Sequence, residues 1–175
     1  MNSILASRGA ALKARELLSD ETPLRRDCGR LCGSACCRPC GDGPCGMLLF
    51  PGEEGLYDTL PPGFELNKAP GLPGGTALLT CAGSCDREAR PLACRVFPLA
   101  FTMEGGAPGV RMDPRAFAVC PLAPSGVDGL APGFRDAARS AARALCESAE
   151  GRAFVRAQDD YIRALTRPLW GEGAS

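Results

Sequence analysis

The hydrophobic and polar positions of the chain predict helices at both ends. Apolar residues recur every three or four positions across residues 3–19, and again across 133–149 and 152–166, while charged residues fall mainly between them. Gly151 separates the two C-terminal segments. The pattern therefore predicts an N-terminal helix and a C-terminal helical hairpin over residues 132–168.

The middle of the chain carries short apolar runs instead. Residues 46–50, 76–80 and 95–103 are each interpreted as buried strands, and residues 110–112 can pair with the last of these runs across a Gly-Gly turn. Residues 61–75 are rich in proline and glycine and are predicted to form a loop. Together with the helices, these strands predict an α+β fold with a loop-rich core.

Composition narrows the range of functions. The 175 residues include 20 basic and 20 acidic side chains, so the net charge is zero, which argues against a nucleic-acid partner or an anionic membrane surface. The chain contains no histidine. This excludes a Ser-His-Asp triad, a Cys-His nucleophile pair and an imidazole metal ligand.

The sequence predicts a cytoplasmic protein. No run approaches the roughly 18 apolar residues of a membrane-spanning helix, and the N-terminal residues lack the apolar segment of a secretory signal. Thiols stay reduced in the cytoplasm. The 11 cysteines are therefore expected to bind metal rather than to form a disulfide framework.

Ten of the cysteines fall into two groups along the chain. The first group contains Cys28, Cys32, Cys36, Cys37, Cys40 and Cys45, and the second contains Cys81, Cys85 and Cys94, followed by Cys120. Close spacing lets one loop place several sulfurs around one ion, and two loops can complete one site together. Thiolates are soft ligands that favour zinc, copper(I) and iron–sulfur clusters. A metal ion bound by both groups would also contribute folding energy.

The spacing of these cysteines departs from the common metal motifs. A zinc ribbon requires two CxxC pairs, and the chain has one, Cys37–Cys40. The cysteine spacings of ferredoxins and of radical-SAM enzymes are absent. A thioredoxin-like interpretation of Cys37–Cys40 would require a βαβ context, which does not surround it.

Several longer motifs occur in a fixed order. Leu31–Cys37 (LCGSACC) ends in a vicinal cysteine pair, Met47–Glu54 (MLLFPGEE) is apolar and closes with two glutamates, and Arg90–Pro98 reads RPLACRVFP, with two cysteines shortly before it. In this order the motifs resemble the YkgJ-like cysteine-cluster family, also called CxxCxxCC proteins, which are described as zinc- or iron-chelating. The resemblance covers residues 28–121.

The resemblance implies a metal site that holds zinc or an iron–sulfur cluster. It implies as ligands Cys28, Cys32, Cys36, Cys37, Cys81, Cys85, Cys94 and Cys120. Both gaps before the vicinal pair contain three residues, where the family name implies two. Cys40 and Cys45 have no family counterpart. Residues 28–121 are then expected to form the metal-binding core of a single domain over 1–175, with the hairpin of 132–168 packed on it.

These observations predict a metal-binding protein, and two alternatives stay open. The eight thiolates could serve one four-iron cluster or two zinc ions. One alternative is an iron–sulfur-dependent redox enzyme or enzyme component, although no nucleophile or substrate base stands out. The other is a protein-interaction module with a structural zinc, in which the C-terminal helices contact the partner.

Residues outside the two groups have more than one interpretation. Arg90 and Arg95 either pair with nearby acids or balance the negative charge of a thiolate cluster. Glu53 and Glu54 either supply an oxygen ligand or begin a short helical turn whose dipole they complement. Cys146 is expected to be a core or surface thiol.

Overall fold

The chain adopts the predicted α+β fold in a computed structural model. The structure describes residues 2–25, 28–38, 46–68, 77–83 and 85–170. The predictions that concern Cys40 and Cys45 lie outside these ranges.

Five α-helices occur in the described residues. They are α1 (Asn2–Leu17), α2 (Gly29–Cys32), α3 (Leu92–Val96), α4 (Pro132–Leu145) and α5 (Ala149–Trp170). The predicted N-terminal helix and the two C-terminal helices are therefore confirmed. The break between α4 and α5 falls at residues 146–148 and not at the predicted Gly151. Gly151 lies instead in the first turn of α5, where a side chain would collide with the carbonyl oxygen of Leu145.

The described strands form two separate antiparallel sheets. Strands β1 (Gly46–Leu48), β2 (Phe64–Lys68) and β3 (Ala77–Cys81) form a sheet in the order β1-β3-β2, and β4 (Leu99–Glu104) and β5 (Ala107–Met112) form a hairpin. The hairpin turns at the predicted Gly-Gly pair, where both glycines have positive φ values of 57° and 83°. Positive φ is readily accessible to glycine, which explains the pair at this tight turn.

Strand β2 corrects the prediction of an unbroken loop over residues 61–75. Phe64 lies opposite Cys81 and Leu66 lies opposite Leu79, so this segment pairs with β3 along its whole length. Within β2 the apolar Phe64 and Leu66 alternate with polar residues, which is the two-residue period of a strand. The surrounding prolines and glycines hid this short alternation. Residues 69–76 lie outside the described ranges.

The main core joins the helices to the hairpin. Helices α4 and α5 each pack against α1 and against the β4–β5 sheet. At its centre the Phe50 ring meets the rings of Phe101 and Phe154 edge-on, with centroid distances of 5.3 and 5.1 Å. Because Phe50 lies two residues after the end of β1, this packing fixes the middle of the chain on the helical part of the fold.

A smaller core lies against the three-stranded sheet. It consists of the buried side chains of Leu49, Tyr57, Phe64 and Leu79. Two partly buried residues of the second cysteine group, Cys81 and Cys85, pack against this core. The sheet therefore supports one side of the region where the cysteines lie.

In the described part of the chain, no helix combines the length and the apolar character needed to cross a bilayer.

Candidate metal centre

The two cysteine groups meet at one cavity, here called the cysteine cavity. It has a volume of about 320 Å³. All eight predicted ligands line it: Cys28, Cys32, Cys36, Cys37, Cys81, Cys85, Cys94 and Cys120. Residues up to 92 positions apart in the sequence, from Cys28 to Cys120, thus share one wall. Cys146 is not among the lining residues and is buried in the main core instead.

The first cysteine segment (residues 28–37) forms two short turns. Cys28 precedes α2, and Gly33 and Ser34 then adopt left-handed conformations with φ values of 57° and 55°. A 3₁₀ turn over Ala35–Cys37 follows, in which the Sγ atoms of Cys36 and Cys37 lie 4.0 Å apart. Neither turn contains a buried residue. Packing therefore holds this segment weakly to the rest of the fold.

The vicinal pair has unequal thiols. The pKa of Cys37 falls to about 6, chiefly because the Cys36 thiol forms a hydrogen bond with it, while the same contact raises the pKa of Cys36. The positive charge of Arg90 lowers the pKa of Cys37 further. One sulfur of the pair is therefore disposed to be a thiolate, the form that binds metal.

The second cysteine segment (residues 81–94) combines a strand end with a short helix. Cys81 ends β3, and Cys94 lies in α3 beside the buried residues Leu92, Arg95 and Val96. Burial raises the pKa of Cys94. Cys120 reaches the same cavity from the loop after β5, where its backbone N–H donates to the Ala116 carbonyl at 2.7 Å.

A fully buried glutamate anchors α3. The Oε1 atom of Glu53 accepts hydrogen bonds from the Leu92 N–H at 2.9 Å and from Arg15 Nη1 at 3.0 Å, and its Oε2 accepts from the Phe50 N–H at 3.0 Å. Burial raises the pKa of Glu53, while these hydrogen bonds oppose that shift. Glu53 is not among the residues that line the cavity. Its carboxylate thus joins α1, the turn after β1 and α3.

Three side chains hold the backbone just before α3. Arg15 and Arg95 each donate to the carbonyl oxygens of Glu88 and Arg90, at distances of 2.8 to 3.0 Å. Tyr57 donates to the carbonyl oxygen of Ala89 at 3.0 Å, so three successive carbonyls are occupied. These contacts fix the end of the second cysteine segment on α1, in contrast to the weakly packed first segment.

Neither Glu53 nor Glu54 lines the cysteine cavity. Glu53 directs its oxygens at backbone and Arg15 donors, and Glu54 accepts from the Gly52 N–H at 2.9 Å. Among the described residues, no carboxylate forms an ion pair with Arg90 or Arg95. The anchoring role of Glu53 was missed from sequence because its partners lie up to 39 residues away.

The wall of the cavity carries positive charge. Its lining includes Arg38, Arg87, Arg90, Arg95 and Arg115, and no aspartate or glutamate is among the described lining residues. Arg115 forms an ion pair with the buried Asp113 at 2.6 Å. The excess of cations over carboxylates favours negative charge in the cavity, such as that of a thiolate centre.

The thiols that the structure describes do not converge on a single point. Among the residues it describes, no three cysteine, aspartate or glutamate side chains are arranged to hold one metal ion. Thiolates bound to tetrahedral zinc lie about 3.8 Å apart, since each Zn–S bond is about 2.3 Å long. The 4.0 Å between Cys36 and Cys37 approaches that spacing, but no third described ligand joins this pair.

No protein-family model, curated protein or solved structure matches this chain. The resemblance to the YkgJ-like family therefore stays an expectation that depends on the cysteine motifs.

Proposed function

We propose that this protein binds zinc or an iron–sulfur cluster through the cysteine thiolates of the cysteine cavity. The observation that supports the proposal is that all eight cysteines implied by the sequence motifs line one cavity. Thiolates are the ligands that zinc and iron–sulfur clusters prefer. The donor set thus fits such a centre in its chemistry.

The unequal support of the two cysteine segments indicates how such a centre would be completed. The segment before α3 is fixed by Glu53 and by the bonds to carbonyls 88–90, whereas residues 28–37 have no buried side chain. Because no three ligands among the described residues lie close enough together, the weakly packed segment would have to move towards the fixed one. Metal would then supply the energy that orders the first segment.

Metal analysis provides the direct test of this proposal. Protein purified without oxygen is expected to contain either iron with acid-labile sulfide and visible colour, or one to two zinc ions per chain and no colour, as roughly four thiolates serve each centre. Elemental analysis and an absorption spectrum distinguish the two centres. Protein that contains neither metal, and takes up neither on reconstitution, would contradict the proposal.

Removal of the metal is expected to lower the stability of the fold. A ligand that binds only the folded state stabilises it by RT ln(1 + [L]/Kd), which is about 2.7 kcal/mol at a metal concentration of 100 Kd. Thermal unfolding with and without a chelator measures this difference. Equal unfolding temperatures in the two samples would show that bound metal does not support the fold.

Amide hydrogen exchange should locate the ordering caused by the metal. We expect metal binding to slow amide hydrogen exchange mainly in the first cysteine segment, because this segment has no buried side chain of its own. Helix α3 serves as the internal comparison, since Glu53 already anchors its first N–H. Similar protection of the first segment in both forms would contradict an ordering role for the metal.

A further inference from the structure

The two arginines that flank Cys94 have different surroundings. The Arg95 guanidinium donates to the carbonyl oxygens of Arg90 and Glu88, at 3.0 and 2.9 Å. Burial lowers the pKa of Arg95, and the positive charges of Arg15 and Arg87 lower it further. Arg95 is thus engaged in fixing the backbone, although it reaches the cavity wall.

The Arg90 side chain instead faces the thiols. Its backbone carbonyl is held by Arg15 and Arg95, so the residue sits on a fixed stretch of chain. It lines the cysteine cavity together with Cys37, Cys85 and Cys94. Burial lowers the pKa of its guanidinium, but a hydrogen bond and the negative charge of Cys85, followed by the charges of Cys37 and Cys94, raise it overall. The Nε atom is buried and has no hydrogen-bond partner among the described residues.

A thiolate centre creates a need for such a cation. Four thiolates on one Zn²⁺ leave a net charge of about −2, and N–H donors to the sulfurs stabilise that charge. Arginine suits this role because its planar guanidinium carries five donors and is weakly hydrated, so it can serve several sulfurs at once in a desolvated site. Arg90 lines the cavity together with cysteines of both segments, Cys37 in the first and Cys85 and Cys94 in the second.

We propose that Arg90 is the residue that compensates the charge of the thiolate centre and positions its sulfurs, whereas Arg95 holds only the backbone. This inference depends on the proposed metal-binding function and assigns a role within the same site. It predicts that Arg90 contributes to metal affinity and contributes little to the stability of the metal-free fold, because its guanidinium forms no ion pair with any described carboxylate.

Zinc affinity of the full chain tests the assignment, since Zn²⁺ binds thiolates without redox chemistry. Metal-free wild type, Arg90→Met, Arg90→Lys and Arg30→Met would be titrated without oxygen against a chromogenic chelator. Arg30 is the matched control, because it is an exposed arginine of α2 that does not line the cavity. We expect Arg90→Met to weaken zinc binding by about 10- to 100-fold, Arg90→Lys to lose less, and Arg30→Met to bind as wild type does.

Unfolding of the metal-free variants separates the two roles that Arg90 could have. We expect metal-free Arg90→Met to unfold at the wild-type temperature. An unfolded Arg90→Met beside a folded Arg90→Lys would assign a structural role and overturn the inference, as would equal zinc affinity in Arg90→Met and Arg30→Met. If wild type itself binds no zinc and no other metal on reconstitution, the proposed function fails and the assignment of Arg90 fails with it.

Discussion

We expect the replacement of Cys94 by serine both to remove bound metal and to lower the stability of the protein. Cys94 lies in α3, on the part of the cavity wall that Glu53 and the bonds to carbonyls 88–90 hold in place. Loss of a direct ligand should lower metal affinity by more than loss of a residue that only hydrogen-bonds a ligand, which lowers it about 10- to 100-fold. The variant should therefore lose the stabilisation given by the metal, about 2.7 to 4.1 kcal/mol at 100 to 1,000 Kd.

Two comparisons keep this expectation testable. The stability difference between Cys94→Ser and wild type should vanish when a chelator removes the metal from both, because the serine itself changes little in the metal-free cavity wall. Cys146→Ala should keep the full metal content, since Cys146 lies in the main core, where its thiol donates to the Met103 sulfur at 3.8 Å. A Cys94→Ser protein with full metal content and full thermal stability would contradict a site shared by the two segments.

The grouping of the cysteines was predictable because it depends on short-range features. Sulfurs separated by three residues share one turn. That both groups line one cavity is a long-range feature, which was expected only from the order of the motifs. The short helix α3 was harder to predict, because its five residues, Leu92–Val96, are fewer than two helical turns. Its last two residues also begin the apolar run of residues 95–103, which was interpreted as a strand, whereas strand β4 begins only at Leu99. Strand β2 was hidden for a similar reason, since proline and glycine surround five residues that alternate in polarity.

Long-range hydrogen bonds could not be predicted from the sequence. Glu53 and Glu54 are adjacent and chemically identical, yet one is fully buried and binds donors from three parts of the fold, and the other accepts from a glycine two residues away. The sequence also treats Arg90 and Arg95 alike. Only the three-dimensional arrangement shows that Arg95 donates to carbonyl oxygens, whereas the buried Nε of Arg90 has no hydrogen-bond partner among the described residues. Tertiary contacts therefore decide which charged residues support the site.

Replacement of Glu53 by alanine is expected to be among the most destabilising single changes in this chain. The substitution leaves the Arg15 guanidinium, which is 12% exposed, without its carboxylate, and it leaves the N–H groups of Phe50 and Leu92 without their acceptor. Removal of one partner from a buried ion pair costs about 3–5 kcal/mol. Denaturant unfolding of the metal-free protein measures the loss without any contribution from a metal.

Glu54→Ala is the matched control for this change. Its single hydrogen bond, to the Gly52 N–H, should cost about 1 kcal/mol or less when removed. Because Glu53 also anchors the first turn of α3, Glu53→Ala should weaken zinc binding as well, whereas Glu54→Ala should not. A loss of stability no greater in Glu53→Ala than in Glu54→Ala would show that the buried carboxylate does not hold α3. If Glu53→Ala is destabilised but binds zinc as tightly as wild type does, the anchoring of α3 is not what positions Cys94.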